Sequence, residues 1–151
     1  MTRPPKWIPK AAVLAIQERL LAEHGGAPGI LDEGLLDSAL ARPRNHLACA
    51  GADLVRLAAA YAYALTQDHP FVDGNKRIAL TVAGVFLELN GLRLEASEQD
   101  AAHATRALSA REMDADGFAE WLRTCTTRPR TPRRPTAATP LPRRRTQAKK
   151  K

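Results

Sequence analysis

Nine consecutive residues hold most of the reactive chemistry in this 151-residue chain: His69-Pro70-Phe71-Val72-Asp73-Gly74-Asn75-Lys76-Arg77. A histidine titrates near neutrality, so it can take a proton from a hydroxyl as a general base. Asp73 lies four residues on in the same irregular turn. A lone carboxylate near phosphates holds Mg²⁺ through one or two oxygens, with water completing the shell. Gly74 permits a positive φ and lets a ligand approach the backbone amides. Asn75-Lys76-Arg77 opens an apolar helix, where the free amides and the macrodipole favour an anion. Two cations there work against local helix stability. They make sense if a polyphosphate binds between them and the amides. Either cation alone reads equally well as solvated surface charge; the constellation does not. Phe71, set between polar neighbours, reads as the anchor that pins the loop to the core and so positions His69. The stretch reads as a phosphate-handling active site.

The flanking segments must hold that loop rigid. Asp53 to Gln67 carries Leu54, Leu57, Ala58, Tyr61, Ala64 and Leu65 at helical spacing and delivers the chain to Asp68-His69. Pro70 cannot continue a helix. From Ile78 to Asn90, ten of thirteen residues are Ala, Gly or larger apolar types, the composition of a helix buried on most sides and central to the fold; Asn90-Gly91 stops it. Upstream, Lys10 to Glu23 reads as an amphipathic helix with Val13, Ile16, Leu20 and Leu21 inward. Gln17 reads as exposed. A Gly/Pro-rich loop spans His24 to Leu31. Asp32 then caps a short helix to Ala41 with Leu35, Leu36, Ala39 and Leu40 on its apolar face, closed by Pro43. Arg44 to Gly51, with His46, reads as loop. Downstream come a short extended connection at Leu92 to Leu94, a helix from Ser97 to about Leu108, and a last helix from Asp114 to Thr124 with Phe118, Trp121 and Leu122 inward. Trp7 also reads as a packing residue. The expected fold is all-α, about six helices around a central buried one.

Charge divides the chain into two parts. Residues 1–127 hold 13 Lys+Arg against 16 Asp+Glu, a net of −3. Arg128 to Lys151 holds ten cations and no acid, which accounts for the overall +7. That tail has no aromatic residue and one large aliphatic, Leu141. It cannot bury enough apolar area to offset its ordering entropy, so disorder is expected there. The domain boundary falls at 127/128. Cys49 and Cys125 have no C-x-x-C spacing, and the four histidines have no metal-ligand spacing. No apolar run is long enough for a bilayer, and Met1-Thr2-Arg3-Pro4-Pro5 opens no signal sequence. The expected location is cytoplasmic, with no membrane partner.

The central stretch resembles the signature of the Fic/Doc family, His-x-Phe-x-Asp/Glu-Gly-Asn-Gly/Lys-Arg. Lys76 stands where AMP-transferring members carry a second glycine, and Leu80 stands where they carry a further arginine. Both departures point to the death-on-curing (Doc) branch, the toxins of type II toxin–antitoxin pairs. Glu23-His24-Gly25-Gly26, Gly34 to Pro43, and Phe86 to Gly91 resemble the Doc-type flanks. The resemblance spans roughly Ile8 to Thr124.

The resemblance implies the Fic fold and transfer of the γ-phosphoryl of ATP, with Mg²⁺, to a Ser or Thr hydroxyl of a protein. The family's precedent target is elongation factor Tu, whose modification blocks translation. It implies His69 as general base and Asp73 as the Mg²⁺-holding residue. Gly74 and Asn75 would line the anion pocket, with Phe71 beside them, and Lys76 and Arg77 would hold the phosphates. ATP would sit reversed relative to AMP-transferring members. No Ser or Thr is followed four residues later by Glu, so the family's self-inhibitory motif is missing. Inhibition is expected from a separate, Phd-like antitoxin whose C-terminal segment covers the site. Two alternatives stand. One is AMP transfer on the same fold. The other is a non-catalytic module whose basic tail makes non-specific nucleic acid contacts, with a steep salt dependence.

Overall fold

The computed structural model describes residues 4–50 and 53–129. The expected disorder of the tail falls, from residue 130 onward, outside the described residues. Six helices run in the order α1 (Lys10–His24), α2 (Glu33–Ala50), α3 (Leu54–Asp68), α4 (Asn75–Leu89), α5 (Glu98–Ser109) and α6 (Ala115–Cys125). The fold is all-α apart from two short strands, β1 (Arg93–Leu94) and β2 (Thr126–Thr127), which pair antiparallel.

The middle of the fold is the pair α3 and α4. On α4, Ile78, Ala79, Val82, Ala83, Phe86 and Leu87 are fully buried, a stripe repeating every three to four residues. On α3 the buried set is dominated by small residues, Ala58, Ala59, Ala62 and Ala64, which let neighbouring helices approach closely, with Leu57, Tyr61 and Leu65 between them. Helix α3 packs against α2, α4, α5 and α6, and α4 against α1, α3 and α5. An aromatic row of Trp7, Phe86 and Tyr61 closes one side, with centroids 5.9 Å and 5.2 Å apart. The segment before α1 is strapped over it. The Asn90 side chain accepts from Lys6 N at 2.8 Å and donates to Lys6 O at 3.1 Å, and Ile8 N donates to the Tyr61 hydroxyl at 3.3 Å.

Caps set three helix starts where the sequence reading places them. The Asp53, Ser97 and Asp114 side chains accept from Arg56 N, Asp100 N and Gly117 N at 2.8, 3.0 and 2.8 Å. Asp32 does the same for Leu35 N at 3.0 Å.

Helix α2 departs from expectation. It does not close at Pro43 but runs through it to Ala50, taking in His46. Leu36, Ala39 and Pro43 are buried, and Leu40 and Leu47 are partly buried. The apolar period therefore continues across the proline. Burial of the Pro43 ring in that stripe compensates for the amide it cannot offer to Ala39. Leu35 was expected inward but is 38% exposed, one position off the stripe that Leu36 occupies. His24 ends α1 rather than starting the loop. Strand β2 was not foreseen: two β-branched residues pair with Arg93 and Leu94, and Glu95 N donates to Cys125 O at 2.7 Å.

Asp53 links the α3 cap to α6, because its second oxygen meets Arg123 Nη1 at 3.1 Å. Partial burial pushes its carboxyl up, but the Arg56 amide and the Arg123 guanidinium outweigh that and hold it below its ordinary value. Its stabilisation is therefore present above the ordinary carboxylate range and is lost as pH falls through it. Asp53→Ala is expected to cost about 1 kcal/mol in urea unfolding at neutral pH. The gap to wild type should narrow in acid.

Candidate active site

Two left-handed corners make the site. Helix α3 ends at Asp68, and His69 turns the chain at φ 48°, ψ 56°. This conformation is uncommon for a side-chain-bearing residue, and histidine is among the few types that adopt it more readily. Gly74 makes the second corner at φ 79° and starts α4. Between them Pro70 is buried and Phe71 is 1% exposed, its ring part of the core. Phe71 therefore anchors the loop to the core.

The side chain of Asn75 faces inward and is 7% exposed. Its Oδ1 accepts from Phe71 N at 3.0 Å and its Nδ2 donates to Phe71 O at 2.9 Å. The same Nδ2 lies 3.3 Å from His69 Nδ1. One buried amide thus ties the first residue of α4 to the loop and to the imidazole. What Asn75 offers a ligand is its backbone amide in the first turn. His69 itself is exposed.

The Gly/Pro loop after α1 lies alongside the motif. Ile30 bridges Phe71 in antiparallel fashion. Leu31 N and Asp32 N donate to Pro70 O at 2.7 and 3.1 Å, and Val72 N donates to Gly29 O at 3.1 Å. Asp73 is held from two sides: Gly74 N donates to Oδ1 at 2.8 Å and Ala27 N to Oδ2 at 3.2 Å. Among the described residues it has no cationic partner within 4 Å, so its outward lone pairs remain available.

Gln17 corrects the sequence reading. It is 6% exposed, and its Nε2 donates to Gly29 O at 3.2 Å. The signal was present: Gln17 follows Val13 by four residues and so shares its buried face.

Lys76 and Arg77 are both exposed on the first turn of α4. Neither meets a carboxylate among the described residues, and no side chain caps this helix end. Free amides, the dipole and two unpaired cations therefore converge at one place. Arg42 and Arg44, by contrast, are engaged: Arg42 Nη2 is 3.7 Å from Asp68 Oδ2, and the Arg44 guanidinium sits 5.3 Å from the Trp7 ring centroid. The described residues contain no group of three metal-ligating side chains. A lone carboxylate with open oxygens suits a cation such as Mg²⁺ whose remaining ligands are phosphate oxygens and water, rather than a cage built from protein alone.

Such a site sets an imidazole and a carboxylate on a pinned loop that leads into an uncapped helix end of an all-α domain. Residues 7–87 match the Fic/DOC family. The chain is 39% identical over 104 residues to the protein named Toxin Doc of Mycolicibacterium smegmatis, covering 65% of this chain and 78% of that one. It is 30% identical over 112 residues to Protein kinase doc of Escherichia phage P1, covering 74% and 88%. The chain belongs to the Fic/DOC family, as a Doc-type member with the all-α Fic fold.

The Asn75 amide satisfies both buried backbone groups of Phe71. Asn75→Ala should therefore cost about 1–3 kcal/mol of stability in denaturant unfolding. In the folded fraction it should also free the His69 ring, seen as averaging of its imidazole NMR signals.

Proposed function

We propose that this chain is a Doc-type toxin that transfers the γ-phosphoryl group of ATP, with Mg²⁺, to a Ser or Thr hydroxyl of a protein. Elongation factor Tu is the first acceptor to test, and translation the process it would arrest. The observation that carries this reading is the uncapped start of α4, where Lys76 and Arg77 stand unpaired directly after Asn75, whose side chain contacts His69. The names borne by the two relatives, a toxin and a protein kinase, support it.

The chemistry follows from the residues. Lys76, Arg77 and the first-turn amides hold phosphate oxygens. Asp73 holds Mg²⁺, which when bound would neutralise charge on those oxygens. His69, exposed at its corner, takes the proton of the acceptor hydroxyl. That oxygen bonds to the γ-phosphorus as the bond to the bridging oxygen breaks, and ADP leaves. The Asn75 side-chain nitrogen, 3.3 Å from His69 Nδ1, orients the imidazole. The protein's share of catalysis is positioning and charge stabilisation. A separate antitoxin, Phd-like in kind, is the proposed partner that restrains the activity.

Label transfer tests the proposal. The protein is incubated with elongation factor Tu or a bacterial lysate, Mg²⁺, and ATP labelled at either the γ or the α phosphate. Label is expected from γ alone, falling about 10²–10⁴-fold in His69→Ala. Label from α would replace phosphoryl transfer by AMP transfer. Equal signals from wild type and His69→Ala would remove His69 from the reaction.

A further inference from the structure

We propose that Gln17 is a positioning residue for Asp73, acting through the loop between α1 and α2. The inference rests on the reading of Asp73 as the carboxylate that holds Mg²⁺, and it assigns to the first helix a part in that site.

The loop after α1 has one point where three parts of the molecule meet. The carbonyl of Gly29 accepts from Gln17 Nε2 at 3.2 Å and from Val72 N at 3.1 Å. Helix α1, the loop and the motif thus share one acceptor. Two residues back, Ala27 N grips Asp73 Oδ2 at 3.2 Å. Between them lies Pro28, whose ring restricts the backbone and transmits the position of Gly29 to Ala27. Gly26 closes the arrangement. It sits at φ 126°, and a Cβ there would be 3.0 Å from both Asp73 Oδ2 and Leu21 Cδ2. The backbone is therefore packed directly onto the carboxylate. Gln17 is the buried polar side chain of α1 and is spent on a loop carbonyl rather than on its own helix. A methionine or leucine would fill that position more cheaply if packing were its whole purpose. Its amide instead decides where the loop lies and, through Ala27, how the Asp73 carboxylate is turned. Partners that orient a metal-holding carboxylate commonly change metal affinity when they are removed.

The test uses the full chain. Gln17→Glu keeps the size of the side chain but replaces the N–H donor with an oxygen facing the Gly29 carbonyl. Gln17→Met fills the space without a polar atom. Amide exchange is followed by NMR in the ligand-free protein, so this arm is independent of any activity. The Ala27 amide is expected to exchange on the order of tenfold faster in both variants, with α3 and α4 core amides unchanged. In the label-transfer assay the Mg²⁺ concentration for half-maximal rate should rise about 10–100-fold, with the KM for the acceptor protein unchanged. Gly26→Ala, which presses on Asp73 without touching Gln17, should give the same shift in Mg²⁺ requirement. Wild-type exchange at Ala27 in folded variants, or an unaltered Mg²⁺ requirement, would overturn the inference. So would global unfolding of both Gln17 variants, because Gln17 would then be holding the core rather than the loop. If wild type itself transfers no label, the phosphoryl-transfer reading fails, and the exchange arm still decides whether Gln17 holds Ala27 on Asp73.

Discussion

The site depends on one buried amide. Asn75 is the first residue of α4, and its side chain meets both backbone groups of Phe71 while touching His69. Neither Phe71 group could be left unpaired at that depth without a cost comparable to a sizeable share of a domain's stability. The Phe71 ring lies in the core, so the loop is held from below by packing and from within by hydrogen bonds. This double hold fixes the loop directly after the left-handed turn at His69. The exposed chemistry of His69, Asp73, Lys76 and Arg77 is carried on a frame whose own polar groups are already satisfied.

Charge placement gives that frame its purpose. Cations in the first turn of a helix meet an unfavourable dipole, and both Lys76 and Arg77 sit there without a carboxylate partner among the described residues. Several arginines elsewhere are paired: Arg56 with Asp116, Arg123 with Asp53, Arg42 with Asp68. An exposed surface pair is worth little, so these pairs are weak statements about stability. Lys6, Arg106, Arg111 and Arg128 also lack a carboxylate within 4 Å among the described residues; what sets Lys76 and Arg77 apart is their place in the first turn of an uncapped helix, where an anion would offset their charge.

The loop from Gly25 to Asp32 extends the site to the far side of Asp73. It adds no catalytic side chain of its own. It supplies backbone: an amide for the carboxylate, a carbonyl that Gln17 and Val72 share, and a bridge to Phe71. Its glycines at positive φ allow that close approach, most clearly at Gly26. The first two helices are thus coupled to the motif through main-chain contacts that a side-chain signature does not record.

What the sequence determined by itself is what local chemistry determines. The motif, the cap at Asp32, the helix starts at Asp53, Ser97 and Asp114, and the buried stripes of α3 and α4 could be read directly, because spacing and residue type act within a few residues. So could the Doc-type character, carried by Lys76 and Leu80. What only the tertiary structure decided involves partners distant in the chain. Pro43 stays inside α2 because its ring is buried in a stripe that packs against α3, and no local rule for proline contains that burial. Leu35 faces out, and β2 forms on a connection more than thirty residues earlier, for the same kind of reason. Gln17 shares the face of Val13, but its partner, a carbonyl twelve positions later, comes within 3.2 Å of its amide only in the folded chain. Hydrogen bonds and packing between distant segments depend on where the chain brings them, and that placement follows from the whole core rather than from any one stretch.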